Sequence, residues 1–257
     1  MPGFKVHLTA SSLLGVGYAA WGYAQGAPWE TAALGGVLCS VAGMLPDLDS
    51  DSGVPSRESF AFSAAVIPAL MIDRFQHLGW KNELIAIATA GMYLIVRFGV
   101  SAIFKHFTVH RGMWHSVPAC CTAGLLTFLI CSREEVSLRI FLAVAVMLGF
   151  FSHLFLDEVW SVNFNHTKVG LKTSWGTALK FWGDVPWSNF VSYILLIGCA
   201  AAAMGDPVLM KKFGYRSPFN TQQVEQQSRE FLQHQFDNAR RFLHPDEQQP
   251  AQPNPWR

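Results

Sequence analysis

The chain has 257 residues, 51% of them apolar and only 14% charged, against about 25% charged in a usual soluble domain. Its formal net charge of +1 offers no basic surface for nucleic acid, so that partner class is set aside. The composition argues for an all-α, polytopic membrane helix bundle. Residues 8–204 hold nearly all the long apolar runs, while 205–257 are rich in Gln, Arg, Pro and Asp. The expected division is a membrane-embedded domain over 1–204 and a polar C-terminal extension over 205–257.

A bilayer core of about 30 Å needs roughly 17 to 25 helical residues. Seven stretches come close: 8–24, 31–45, 60–72, 83–104, 117–131, 138–156 and 190–204. The third is short and contains Pro68, and the fourth carries Arg97. Several are rich in Gly, Ala and Ser, which suits close helix packing in lipid. Cys39, Cys120, Cys121, Cys131 and Cys199 all lie inside apolar runs, without zinc-type or disulfide spacing, and read as packing residues.

With seven crossings, the polar groups of interest fall on the face where the chain begins. His7 opens the first span there. The second returns to Pro46-Asp47-Leu48-Asp49-Ser50-Asp51, with carboxylates at alternate positions that in an extended turn point the same way. A calcium loop is the competing reading, since Glu58 stands twelfth from Asp47, but the Gly wanted sixth is Ser52. The fourth span ends before His110-Arg111-Gly112-Met113-Trp114-His115-Ser116, a loop with two imidazoles and a guanidinium suited to phosphate or carboxylate. Ser116 reads as the N-cap of the next helix, with Pro118 in its first turn. On the sixth span, His153 and Asp157 are four residues apart and share a helix face. That spacing lets an imidazole and a carboxylate hold one ion. Convergence requires the third stretch to cross. The basic loop residues nearly balance across the membrane, and the expectation is that the polar face is cytoplasmic.

Within 160–187, Trp160, Trp175, Trp182 and Trp187 accompany Lys168, Lys172 and Lys180, which suggests an interfacial lid or anchor. Residues 221–243 read as an amphipathic helix, with Leu232, Phe236, Ala239 and Leu243 at helical spacing, and 245–257 as a disordered tail.

In order and spacing, His7, Leu45-Pro46-Asp47-Leu48-Asp49, His110-Arg111-Gly112 through His115-Ser116, and Ser152-His153 with Asp157 resemble the YdjM-like family of predicted inner-membrane, metal-dependent hydrolases. That family is itself held to be distantly similar to the all-α zinc phospholipase C and P1 nuclease group. The resemblance implies a multi-pass protein of the inner membrane. Its metal candidates would be His7, Asp47, Asp49, His110, His115, His153 and Asp157, with Arg111 and Asp49 as catalytic candidates. Trp114 stands where relatives are expected to carry Thr, and the stretch after Asp157 has no counterpart in the pattern.

Neutral His with carboxylates suits zinc, or manganese where oxygen dominates. The expected function is hydrolysis of a phosphoester or phospholipid headgroup, with membrane lipid as partner and substrate source. Two other classes compete: a membrane scaffold with a structural metal, and a divalent-cation or proton transporter. Transporters place ionisable groups near the midplane, whereas these cluster at helix ends.

Overall fold

The structure is a computed structural model that describes residues 3–49, 54–102, 112–131, 133, 135–165, 168–171, 179–214, 229–236 and 238. Helices dominate it. In chain order they are α1 (Phe4–Ala24), α2 (Trp29–Ala42), a 3-10 turn (Leu45–Asp49), α3 (Val54–His77) and α4 (Asn82–Leu94), which runs on into a π-turn (Ile95–Val100). Then come α5 (Val117–Ile130), α6 (Val136–Trp160), the strands β1 (Val162–Asn165) and β2 (Lys168–Leu171), α7 (Pro186–Met204) and α8 (Pro207–Phe213). The strands form an antiparallel hairpin in which Val162 faces Leu171.

Two compact units divide the chain, Met1–Leu209 and Met210–Arg257. The first holds α1 to α7. In the second, residues 229–236 are helical and expose Phe231, Leu232 and Phe236. Ala239, Leu243 and 245–257 lie outside the described residues.

Among the described residues, three helices are long and apolar enough to cross a membrane: Asn82–Val100, Val136–Trp160 and Pro186–Met204. Helices α2 and α5 are apolar but have 14 residues each, about 21 Å at 1.5 Å per residue. Helices α1 and α3 have the length, with 21 and 24 residues, but not the same apolarity. Length and composition thus establish a membrane bundle, and not the count of seven crossings. The third stretch differs most from expectation, being one 24-residue helix rather than 60–72. Its first turns carry Ser56, Arg57 and Glu58, which break the apolar run, and Pro68 is accommodated inside it.

Helix α6 is the centre of the bundle and packs on α1, α2 and α5. Small residues let the backbones approach. Gly15 and Gly36 face each other between α1 and α2, where a Cβ on Gly36 would lie 2.8 Å from the Gly15 carbonyl oxygen. Gly149 of α6 lies against α2, where a Cβ would sit 2.8 Å from the Cys39 carbonyl carbon and closer still to its oxygen. The Phe141 ring occupies the space left by Gly22 and Gly35. It stacks on Tyr18 at 4.6 Å, and the Tyr18 hydroxyl donates to the Phe141 carbonyl at 2.8 Å. Ser11 donates to the Ser40 carbonyl at 2.7 Å. These contacts lock α1, α2 and the first half of α6 together.

In the first turn of α6 a different device closes the bundle. Arg139, 1% exposed, forks onto Asp206 at 2.9 and 2.7 Å and also donates twice to the Phe128 carbonyl. Its guanidinium lies 4.1 Å from the Phe128 ring centroid. Asp206 further accepts from the Val208 and Leu209 amides, capping α8. Burial pushes the Asp206 carboxyl up, but the Arg139 hydrogen bonds outweigh it and hold the group below the usual carboxylate range.

Candidate metal centre

Helix α2 ends at Gly43, and the chain turns through Met44 into the short 3-10 segment that carries Asp47. A helix end leaves carbonyl groups without intrahelical partners. His153 of α6 takes one of them: its Nδ1 lies 2.7 Å from the Gly43 oxygen. A carbonyl can only accept, so Nδ1 carries the proton. The neutral ring then turns an unprotonated Nε2 inward, the arrangement that usually orients an imidazole ligand.

That Nε2 faces Asp47 Oδ1 at 3.6 Å and Asp157 Oδ2 at 3.7 Å. His115 Nε2 approaches Asp157 Oδ2 at 3.0 Å, and His7 Nε2 approaches Asp157 Oδ1 at 3.3 Å. The His7 and His153 rings stack with centroids 3.7 Å apart and planes 13° from parallel, while His115 meets His153 edge-on at 5.2 Å. His7, His115, His153 and Asp157 are all buried. The Asp47 side chain is 30% exposed and forms the accessible edge of the cluster.

Two groups of donor atoms, His7 with His153 and Asp157, and Asp47 with His115 and His153, each lie within 4.8 Å of one another. Among the described residues, the only buried side-chain atoms without a hydrogen-bond partner are His7 Nδ1 and Asp157 Oδ1, both in this cluster. Buried polar atoms are rarely left unsatisfied, because each costs about 1–3 kcal/mol. Among the described residues, the Asp157 ion-pair partners are all histidines, with no Lys or Arg among them. An unprotonated ring nitrogen and carboxylate oxygens are all acceptors, which belong together only round a shared cation or proton. The donor set therefore fits a divalent metal.

The loop that delivers His115 is held from several sides. The Trp114 indole N–H donates to the Leu45 carbonyl at 2.7 Å, tying it to the Asp47 turn. The Met113 amide donates to Ser188 Oγ at 3.1 Å. Ser116 bonds back to the Met113 carbonyl, accepts from the Ala119 amide at 3.4 Å and caps α5, with Pro118 in the first turn. Asn189 of α7 exchanges two 2.8 Å bonds with Gly183, and Val117 donates to the Lys180 carbonyl. The segment ahead of α7 thus braces the His115 loop. Trp182 and Trp187 of that segment and the start of α7, and Trp160 at the end of α6, are exposed. Trp175, Lys172 and the Lys168 side chain lie outside the described residues.

Five of the expected ligands, His7, Asp47, His115, His153 and Asp157, come together. His110, Arg111 and the Asp49 side chain lie outside what is described; the Asp49 backbone closes the 3-10 turn. Arg97 is in the π-turn, its guanidinium 5.8 Å from the Phe98 ring centroid. Gly43, Ser188 and Asn189 were not expected at the site. The signal for Gly43 was its place just beyond an apolar run, where a free carbonyl is guaranteed. Ser188 and Asn189 gave no signal, because their partners are the backbone groups of Met113 and Gly183.

The sequence model of one protein family, described as YdjM inner membrane protein, matches residues 1–204. No curated protein and no solved structure matches the chain.

Proposed function

The chain belongs to the YdjM inner membrane protein family, and we propose that it is a metal-dependent hydrolase of the inner membrane acting on a lipid or other phosphoester at the membrane interface. The observation that carries this reading is the cluster of three buried His and buried Asp157, edged by Asp47, in which His7 Nδ1 and Asp157 Oδ1 make no hydrogen bond and Oδ1 has only the His7 ring nearby at 3.3 Å. It sits at helix ends rather than mid-span, the depth at which a headgroup would meet it. The same bundle is read as seven crossings, which puts His7, Asp47, His115, His153 and Asp157 on one face.

His7, His153, Asp157, His115 and Asp47 would hold the metal, and zinc or manganese suits the mixed nitrogen and oxygen donors. A bound divalent ion supplies a Lewis acid and brings the pKa of its water to about 7. Gly43 orients His153 through Nδ1. Asp157 reaches three imidazoles and fixes their mutual geometry. Asp47, the accessible member, marks the side from which water and substrate enter. Arg111 of the same loop would bind phosphoryl oxygens. An accessible edge favours catalysis over a purely structural metal, for which every ligand position would be closed.

Purified protein loaded with zinc or manganese should release phosphate or a headgroup from mixed phospholipid vesicles. Asp157→Asn should lower the rate by at least about a hundredfold, the scale for removing a group essential to the metal site. Turnover that persists in folded Asp157→Asn would remove the assignment.

A further inference from the structure

An apolar cavity of about 240 Å³ lies between α2, α3, the π-turn, α5 and α6. Among the described residues its walls are aliphatic and aromatic apart from Ser63 and Thr127, and the Thr127 hydroxyl is already bonded to the Ala123 carbonyl within its own helix. Nothing in such a wall would hold a headgroup or an ordered water, which needs two to four polar partners. Along α3 the lining runs from Phe60 to Leu70, about 15 Å at 1.5 Å per residue. The space is long and narrow, and below the ~300–1,000 Å³ typical of pockets for compact drug-sized ligands.

Both ends of this cavity are informative. At one rim stand Leu45, Leu48 and Trp114, the sequence neighbours of Asp47 and His115. Trp114 is pinned there by its bond to Leu45. At its flank, Val100 and Leu126 line the cavity and are also 41% and 40% exposed on the outer surface. In a membrane-embedded bundle that outer surface faces hydrocarbon. The cavity therefore opens sideways to lipid and ends beside the His/Asp cluster.

We propose that this cavity binds a single acyl chain of a membrane lipid, entering between α5 and the π-turn, so that the ester or phosphoester end of that lipid lies at Asp47 and His115. The lipid's role as substrate rests on the hydrolase reading above; the acyl site itself does not. One chain fits the volume and the apolar wall, while the second chain and the rest of the lipid stay in the bilayer. The site thus selects a lipid ester over a water-soluble phosphoester by burying its chain.

The test uses the full chain in lipid nanodiscs containing a phosphatidylglycerol with a diazirine-bearing acyl chain, followed by irradiation and peptide mapping. Adducts should concentrate on Val66, Ile67 and Ile130, above the level on Ile87 and Ile197, which are exposed on outward-facing helix surfaces. Ser63→Trp and Leu126→Trp should each fill the space and lower the wall adducts about tenfold, roughly the effect of 1.4 kcal/mol on an equilibrium, with bound metal unchanged. Adducts spread evenly over wall and outer surface, or unmoved in both variants, would overturn the acyl site. If no metal is found yet wall adducts appear and respond to the Trp variants, the acyl site stands and the hydrolase reading falls. If metal is bound and wall adducts are absent, the acyl site falls alone.

Discussion

Replacing Arg139 with Met should destabilise the protein by about 3–4 kcal/mol, because it strands a buried carboxylate that now has a bidentate partner. Asp206 is 8% exposed, so water cannot replace the guanidinium. Protonation of the stranded carboxyl limits the cost at pH 7 to about 4 kcal/mol, at 1.36 kcal/mol per unit above an ordinary value near 3.9. The loss would be read as a lower midpoint of thermal unfolding in detergent. Arg139→Met with Asp206→Asn should recover at least half of it, since Asn removes the charge and can still accept from Val208 and Leu209. The pair also sets a pH dependence. Asp206 has a depressed pKa in the folded state, so its stabilisation is present above the unfolded carboxylate value and lost as pH falls through the folded one. That acid-side loss should be absent from the double variant. Equal stability of Arg139→Met and the wild type would show that the pair closes nothing.

Gly149→Ala should be the most damaging single-methyl change in the membrane bundle. The new Cβ would lie 2.9 Å from the Ala42 Cβ, 2.8 Å from the Cys39 carbonyl carbon and nearer still to its oxygen. Two of those atoms are backbone, so α2 and α6 must separate. Overpacking of this kind costs about 1–3 kcal/mol. It also acts at the site, because His153 stands one turn beyond Gly149 and bonds to Gly43 at the end of the same α2. Metal affinity should fall by about tenfold or more, the scale of disturbing a group that orients a ligand. Gly17→Ala is the control: its Cβ would meet nothing within 4 Å, and the change should be neutral or slightly stabilising. Similar behaviour of the two variants would mean that the α2–α6 contact does not position the cluster.

The apolar runs that became α2, α5, α6 and α7 were visible in the sequence to within a few residues, because burial and lipid exposure both demand unbroken apolar stretches. Helix α3 was underestimated because Ser56, Arg57 and Glu58 interrupt that signal while the backbone continues through them. Apolarity carries no record of where hydrogen bonding shifts register, so the π-turn at Ile95–Val100 was not legible. Nor was the β1–β2 hairpin, because each strand has only 4 residues, too few for the Val-Asn-Phe-Asn alternation to stand out.

Within the cluster, His153 and Asp157 were legible as a pair from their four-residue spacing, which the helix converts into a shared face. His7, Asp47 and His115 could be attached only by assuming which way each helix runs. What the sequence did not contain was the wiring between the ligands and the backbone. The proton on His153 Nδ1 is fixed by the Gly43 carbonyl, and the His115 loop by Leu45, Ser188 and Asn189. Backbone carbonyls and amides are present at every residue, so their use leaves no mark on composition or spacing.

Elemental mass spectrometry of the detergent-purified protein, with a His153→Ala/Asp157→Ala variant alongside, tests the metal centre most directly. About one or two zinc or manganese ions per chain, lost in the folded variant, is the predicted result, since the cluster offers five side chains and each ion takes about four ligands. A folded wild type that holds no metal after incubation with zinc or manganese would contradict it.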